Sequence, residues 1–290
     1  MTNSSLATRI TNKLTKESII RSVLLIPLFA YSLYSAGPLL WTLILSLRTT
    51  PEIYQNPYGL PSSIQLTQYV KAFTEFGYAL YIRNSLIVTA GALFLITIIA
   101  SMAAYIFSRP RFYFPLREPL FLLIFLTIMF PPQIMILALF QILVEYHLYN
   151  THIGLILVYT ATEIPLAIYL LRAFYAQIPQ DLEDAARIDG CSDFSLFWRV
   201  MFPIARPAVA TVLVLNLIRF WNEFLYASVL ITKKEIRTLP LAIIFFLGEQ
   251  YQDVGMLATG LMISSLPIII IYVFLSEQFI KGMTAGALKM

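Results

Sequence analysis

Six uncharged or nearly uncharged runs, at 22–47, 84–108, 119–144, 153–171, 207–231 and 254–276, occupy about half of this 290-residue chain. About 20 apolar residues in a helix cross the hydrocarbon core of a bilayer. In lipid each backbone N–H and C=O needs a partner inside the protein, so runs of this length are expected to be spanning helices. The composition agrees, at 59% hydrophobic and only 12% charged residues, against roughly 25% charged in a soluble domain. The expected fold is all-α, a polytopic membrane protein with six transmembrane helices. Pro27, Pro38, Pro131, Pro132, Pro165 and Pro267 fall within these runs and predict kinked helices whose freed carbonyls are satisfied by neighbours in a bundle.

Orientation follows from lysine and arginine. Thirteen of the twenty lie at the N-terminus, in alternate loops (Arg109, Arg111 and Arg117; Arg172, Arg187, Arg199 and Arg206) and at the C-terminus. Six lie in the opposite loops, and Arg219 falls inside the fifth run. Both termini and the 172–206 loop are therefore expected to be cytoplasmic. The basic residues punctuate apolar runs and form no patch, which argues against nucleic acid despite a net charge of +4. A lone cysteine, Cys191, excludes an intrachain disulfide. Residues 22–47 are too long for a signal-peptide core and read as a retained first span.

One charged, amphipathic island interrupts this pattern: Leu182-Glu183-Asp184-Ala185-Ala186-Arg187-Ile188-Asp189-Gly190, continuing to Pro203. Alanines beside acids favour a helix, Gly190 ends it, and Phe194, Phe197 and Trp198 begin a second apolar stripe. Residue chemistry alone leaves two readings, a helix that presses its apolar face into a partner and an ordinary solvated helix of a cytosolic loop.

The spacing of the island resembles the coupling-loop signature of ABC importer permeases: E-A-A, three residues, Gly, nine residues, I-x-L-P. Ala185, Ala186, Gly190 and Pro203 match, while Asp184, Val200 and Phe202 stand for Glu, Ile and Leu. Phe130-Pro131-Pro132-Gln133, Asn150-Thr151 with Gly154, Trp221-Asn222-Glu223-Phe224 and the tail from Gly282 to Lys289 extend the likeness. Across roughly residues 20 to 290 the chain resembles the MalG-like permeases of carbohydrate ABC importers. Lys281-Gly282 stands where members often carry two glycines.

The resemblance implies a second, MalF-like permease subunit, two ATPase subunits, an extracytoplasmic solute-binding protein and a sugar-like solute. It places the chain in a bacterial or archaeal plasma (inner) membrane. It divides the chain into a cytoplasmic segment at 1–21, a transmembrane domain at 22–281 with its coupling loop at 178–203, and a cytoplasmic tail at 282–290. The chain itself lacks the G-x-x-x-x-G-K-[ST] phosphate cradle, so ATP and Mg are expected only in the partner subunits. No nucleophile-plus-base arrangement supports an enzyme, and His147 and His152 lack the companions of a metal site.

ATPase coupling is assigned to Leu182, Glu183, Asp184, Ala185, Ala186, Asp189, Gly190 and Phe194, the acids facing a basic rim and the apolar residues filling a groove. A substrate path is placed at Asn216, Arg219, Trp221, Asn222, Glu223 and Tyr226. The spacing of three and four puts Asn216, Arg219 and Glu223 on one face. There they either read sugar hydroxyls or form an Arg219–Glu223 pair that fixes helix packing. Glu163, two residues before Pro165, is expected to bond carbonyls that the proline frees. The likeness sends Thr284, Gly286 and Lys289 between the ATPase subunits; a frayed terminus is the other reading. The 48–83 loop, turn-forming at its start and helical near Gln68–Phe76, is either a connector or a surface for an extracytoplasmic partner. Rival functions are an ABC permease for a non-sugar solute and a stand-alone secondary transporter, which would show an inverted repeat.

Overall fold

The computed structural model describes the backbone of residues 3–249 and 253–287, and the side chains of 23–244 and 253–273. Its elements are helical: α1 Asn3–Ser46, α2 Thr50–Gln55, α3 Thr67–Thr74, α4 Tyr78–Ser108, α5 Arg117–Leu126, α6 Pro132–Glu145, α7 His152–Tyr175, α8 Asp181–Ile188, α9 Asp193–Leu196, α10 Phe202–Ile204, α11 Arg206–Trp221, α12 Leu225–Leu230, α13 Leu239–Glu249 and α14 Val254–Ala287. A π-helical turn, Phe197–Met201, joins α9 to α10. The described residues contain no strand.

Among the described residues four helices are long and apolar enough to cross a membrane, and the number rises to six if each of two bent pairs is one span. The third predicted run is not one kinked rod. α5 with its closing turn meets α6 at 107°. Phe130 and Pro131 are both extended at the junction, because the ring of a proline drives the residue before it out of the helical region. Pro27, Pro38, Pro165 and Pro267, by contrast, lie inside helices that continue past them.

The chain divides into two compact units. In the one comprising residues 1–72 and 252–262, the predicted outside loop is a built structure. Pro51 opens α2 instead of a turn, since its fixed φ suits a first helical turn. Buried Arg48 donates from Nη2 to the carbonyls of Glu52 (2.9 Å) and Asn56 (2.7 Å). The Ser62 N–H donates to the Glu52 carboxylate at 2.8 Å and holds it below the ordinary carboxylate range. Thr50 Oγ1 donates to Asp253 Oδ1 (2.5 Å), whose same oxygen caps α14 through Met256 N (2.9 Å).

In the other unit, residues 73–251 and 263–290, α4 is the central helix. Val88, Ala92, Ile96, Ala100 and Ala104 recur every four residues and are buried. Their stripe carries small side chains, which let α7 pack closely against it. Thr151 Oγ1 caps α7 by accepting from Gly154 N at 3.0 Å. A Cβ on Gly154 would collide with the Leu148 carbonyl, which explains the glycine. Asn150 accepts from the backbone N–H groups of Thr232 (2.6 Å) and Lys233 (3.1 Å). α13, not foreseen because its apolar run is too short to span, packs on α4 with Leu239 N donating to Ser85 Oγ at 2.8 Å.

Candidate functional site

The island at 178–203 folds as two short helices around a glycine turn. Asp181, Glu183 and Asp184 sit in the first turn of α8 and Arg187 in its last, matching the helix dipole at both ends. Gly190 takes φ +85. Its N–H donates to Arg187 O (2.9 Å) and the Cys191 N–H to Ala186 O (3.0 Å), the paired bonds that close a helix through a left-handed residue. A side chain at φ > 0 costs about 1 kcal/mol, and proline would also lose the donor. Maleimide should therefore alkylate half-buried Cys191 about fivefold faster in Gly190→Ala, and faster still in Gly190→Pro. Unchanged rates would remove the turn's structural importance.

α8 exposes apolar side chains together with Asp181, Asp184 and Asp189, and buries one acid. Its solvent side carries Leu182, Ala185 and Ile188, the last 87% exposed, and α9 adds exposed Phe194. Its inner side carries Glu183 and Ala186, both buried. The expectation that Glu183 and Ala186 face a partner is thus corrected: both are spent inside the chain. Glu183 forms an ion pair with buried Arg109, accepts from Tyr105 OH at 3.3 Å, and meets Arg187 Nη2 at 3.3 Å. Arg187 also reaches Asp193 (3.2 Å), which pairs with Arg111 (3.2 Å). Asp184 and Asp189 stay exposed. The i, i+4 pair Glu183–Arg187 was visible in the sequence as a sign that charge could close on itself. Ile188, every third residue from Leu182 and Ala185, was the missed member of the apolar face.

The polar residues of the fifth run do not share one face. α11 ends at Trp221, so Glu223 lies beyond it. Glu223 accepts from Tyr159 OH (2.6 Å), Tyr226 N (2.7 Å) and Ala227 N (3.1 Å), and so caps α12 and connects it to α7. Neither an Arg219–Glu223 pair nor a Glu163 bonded to freed carbonyls is formed. Arg219 Nη1 instead donates to both carboxylate oxygens of Glu163, at 2.8 and 2.7 Å. Asn216, Trp221 and Tyr226 are buried. Asn216 Nδ2 bonds Val212 O (2.8 Å) and Trp221 Nε1 bonds Ser264 O (3.0 Å). Arg219 and Asn222 remain exposed. The side chain of Thr284, the surroundings of Gly286 and all of Lys289 lie outside what is described.

Residues 96–284 match the family described as binding-protein-dependent transport system inner membrane component. The chain is 35% identical over 263 residues to the probable ABC transporter permease protein YurM of Bacillus subtilis, covering 90% of this chain and 86% of that one. It is 32% identical over 279 residues to the arabinooligosaccharides transport system permease protein AraQ of Halalkalibacterium halodurans, covering 94% and 99%. Its fold is similar to a chain of a bacterial ABC transporter involved in the import of the acidic polysaccharide alginate, with a TM-score of 0.79 at 22% identity over 91% of this chain and 98% of that chain.

Proposed function

The chain belongs to the binding-protein-dependent transport system inner membrane components, and from that premise we propose that it is a permease subunit of an ATP-driven importer for a sugar or sugar-like solute. The observation that carries the coupling role is the outward apolar face of α8 and α9. A helix that leaves Leu182, Ala185 and Ile188 exposed beside Phe194 of α9 is built to be covered by something else. An ATPase groove is the cover that fits a permease carrying no nucleotide site of its own. ATP and Mg then belong to two partner ATPases, and a second permease completes the pore. An extracytoplasmic protein delivers the solute.

With α8 on the ATPase side, both termini are cytoplasmic, residues 22–281 form the membrane domain, and 282–290 form a tail toward the ATPases. The membrane is the inner membrane of a prokaryotic cell. Closure of the ATPases on ATP draws their bound α8 helices together, and the spans rock from inward-open to outward-open around the solute.

The sugar reading is supported by the name of the arabinooligosaccharide relative. It is supported also by the Glu163–Arg219 pair, which leaves no net charge on that part of α7 and α11. Affinity purification of the tagged chain from its native membrane tests the proposal. The expected result is co-purification of a second permease, an ATPase and a solute-binding protein that binds an oligosaccharide in a ligand screen. Recovery of the chain alone, even after crosslinking, would overturn it.

A further inference from the structure

What α8 moves is set by how it is attached. Its buried face offers one small apolar side chain, Ala186, and one ionic group, Glu183. An eight-residue helix is not stable by itself, so its position depends on those two contacts, on its packing against α9 and the π-helical turn Phe197–Met201, and on the chain at its ends. The chain beyond α9 runs through a π-helical turn and then a 74° bend at Ala205 before α11 begins. The ion pair ties α8 to the end of α4 without an intervening element. Arg109 lies immediately after the last residue of α4, and its side chain and that of Glu183 are 3% and 4% exposed. Arg109 Nη1 also donates to Ile178 O at 2.9 Å, in the turn leading into α8. Arg117 Nη1 in turn donates to Arg109 O at 2.8 Å.

We infer that Arg109 and Glu183 are a positioning pair that makes α4 the lever of this permease, so that displacement of α8 enters the membrane through α4. The inference rests on the importer reading above and deepens it. α4 is suited to the role because its stripe from Val88 to Ala104 is packed against α7, and α11 packs on it as well. A push at its Arg109 end therefore reaches both helices that hold the Glu163–Arg219 pair. An ion pair suits such a link better than an apolar contact because its geometry is directional and fixes one register.

The test uses the complete complex in lipid nanodiscs, with Arg109→Met, Glu183→Met and the double variant. The readouts are ATP hydrolysis stimulated by the binding protein, co-purification of the ATPase, and alkylation of Cys191. Each single variant leaves a buried charge unpaired, so Cys191 should alkylate faster and stimulated hydrolysis should fall at least tenfold. The double variant removes both charges, and Cys191 protection should return while stimulation stays at least tenfold down. The ATPase should co-purify throughout, because Leu182, Ile188 and Phe194 are untouched. Full stimulation in the double variant, or in either single variant, would overturn the inference and show the pair to be structural only. A wild-type complex without stimulated hydrolysis would overturn the importer reading itself.

Discussion

Ile188→Asp is expected to strip the ATPase from the complex and to reduce ATP-driven uptake by two orders of magnitude or more, while the chain accumulates in the membrane at its normal level. Ile188 is 87% exposed, so the substitution removes no packing within the chain. A central apolar anchor in an interface contributes about 2–4 kcal/mol, which corresponds to roughly 30- to 1,000-fold in affinity. An acid at its position also has to be desolvated. Phe194→Asp should act in the same direction, because Phe194 is the exposed apolar residue that α9 adds to this face. Ala186→Asp is a different experiment, since Ala186 is buried beside the ion cluster. There an acid would dislodge α8 from its own chain, so loss of uptake would come with raised Cys191 reactivity. Co-purification and uptake measured together separate the two cases, and normal ATPase retention in Ile188→Asp would remove this face as the docking surface.

The four long apolar helices of the described residues, the short helix at 181–188 and its glycine terminus were legible in the sequence because each depends on residues close together in the chain. Apolar run length sets the first, alanine and acid content the second, and a single left-handed residue the third. The direction in which α8 points was not legible. Its amphipathicity is real, but which side turns inward depends on Arg109, 74 positions before Glu183. The same limit applies in the fifth run. A spacing of four suggested that Arg219 reaches Glu223, yet helix α11 stops at Trp221 and the partner is Glu163, 56 positions away. The stop itself was signalled by Asn222-Glu223, polar residues able to cap a new helix, whereas the hydroxyl of Tyr159 that bonds Glu223 was not legible. The 107° bend at Phe130-Pro131 was signalled by the double proline, but a proline kink and a full break differ in what packs around them.

Breaking the Glu163–Arg219 pair should have the second large effect. Glu163 lies eleven residues into α7 and Arg219 thirteen into α11, or about 17 and 20 Å along their axes at 1.5 Å per residue. Both fall within runs, 153–171 and 207–231, that are expected to cross the hydrocarbon core of about 30 Å. An unpaired arginine there costs about 2.5–3.5 kcal/mol, so Glu163→Gln is expected to lower the amount of assembled permease severalfold or more. Arg219→Met leaves the Glu163 side chain without its partner and should lower the level in the same direction. The double variant Glu163→Met with Arg219→Met carries no charge to strand, and its level in the membrane should return to that of the wild type. Its uptake distinguishes the two roles. The guanidinium is 57% exposed although it is paired, so it can offer donors to a sugar without presenting net charge. If it does so, uptake in the double variant stays at least tenfold down at normal expression. If uptake recovers with expression, the pair holds α7 to α11 and the solute is read elsewhere. The neutral character of the pair also predicts that a neutral oligosaccharide outcompetes a uronate of the same length in the wild type, a preference that Glu163→Gln should shift toward the acid.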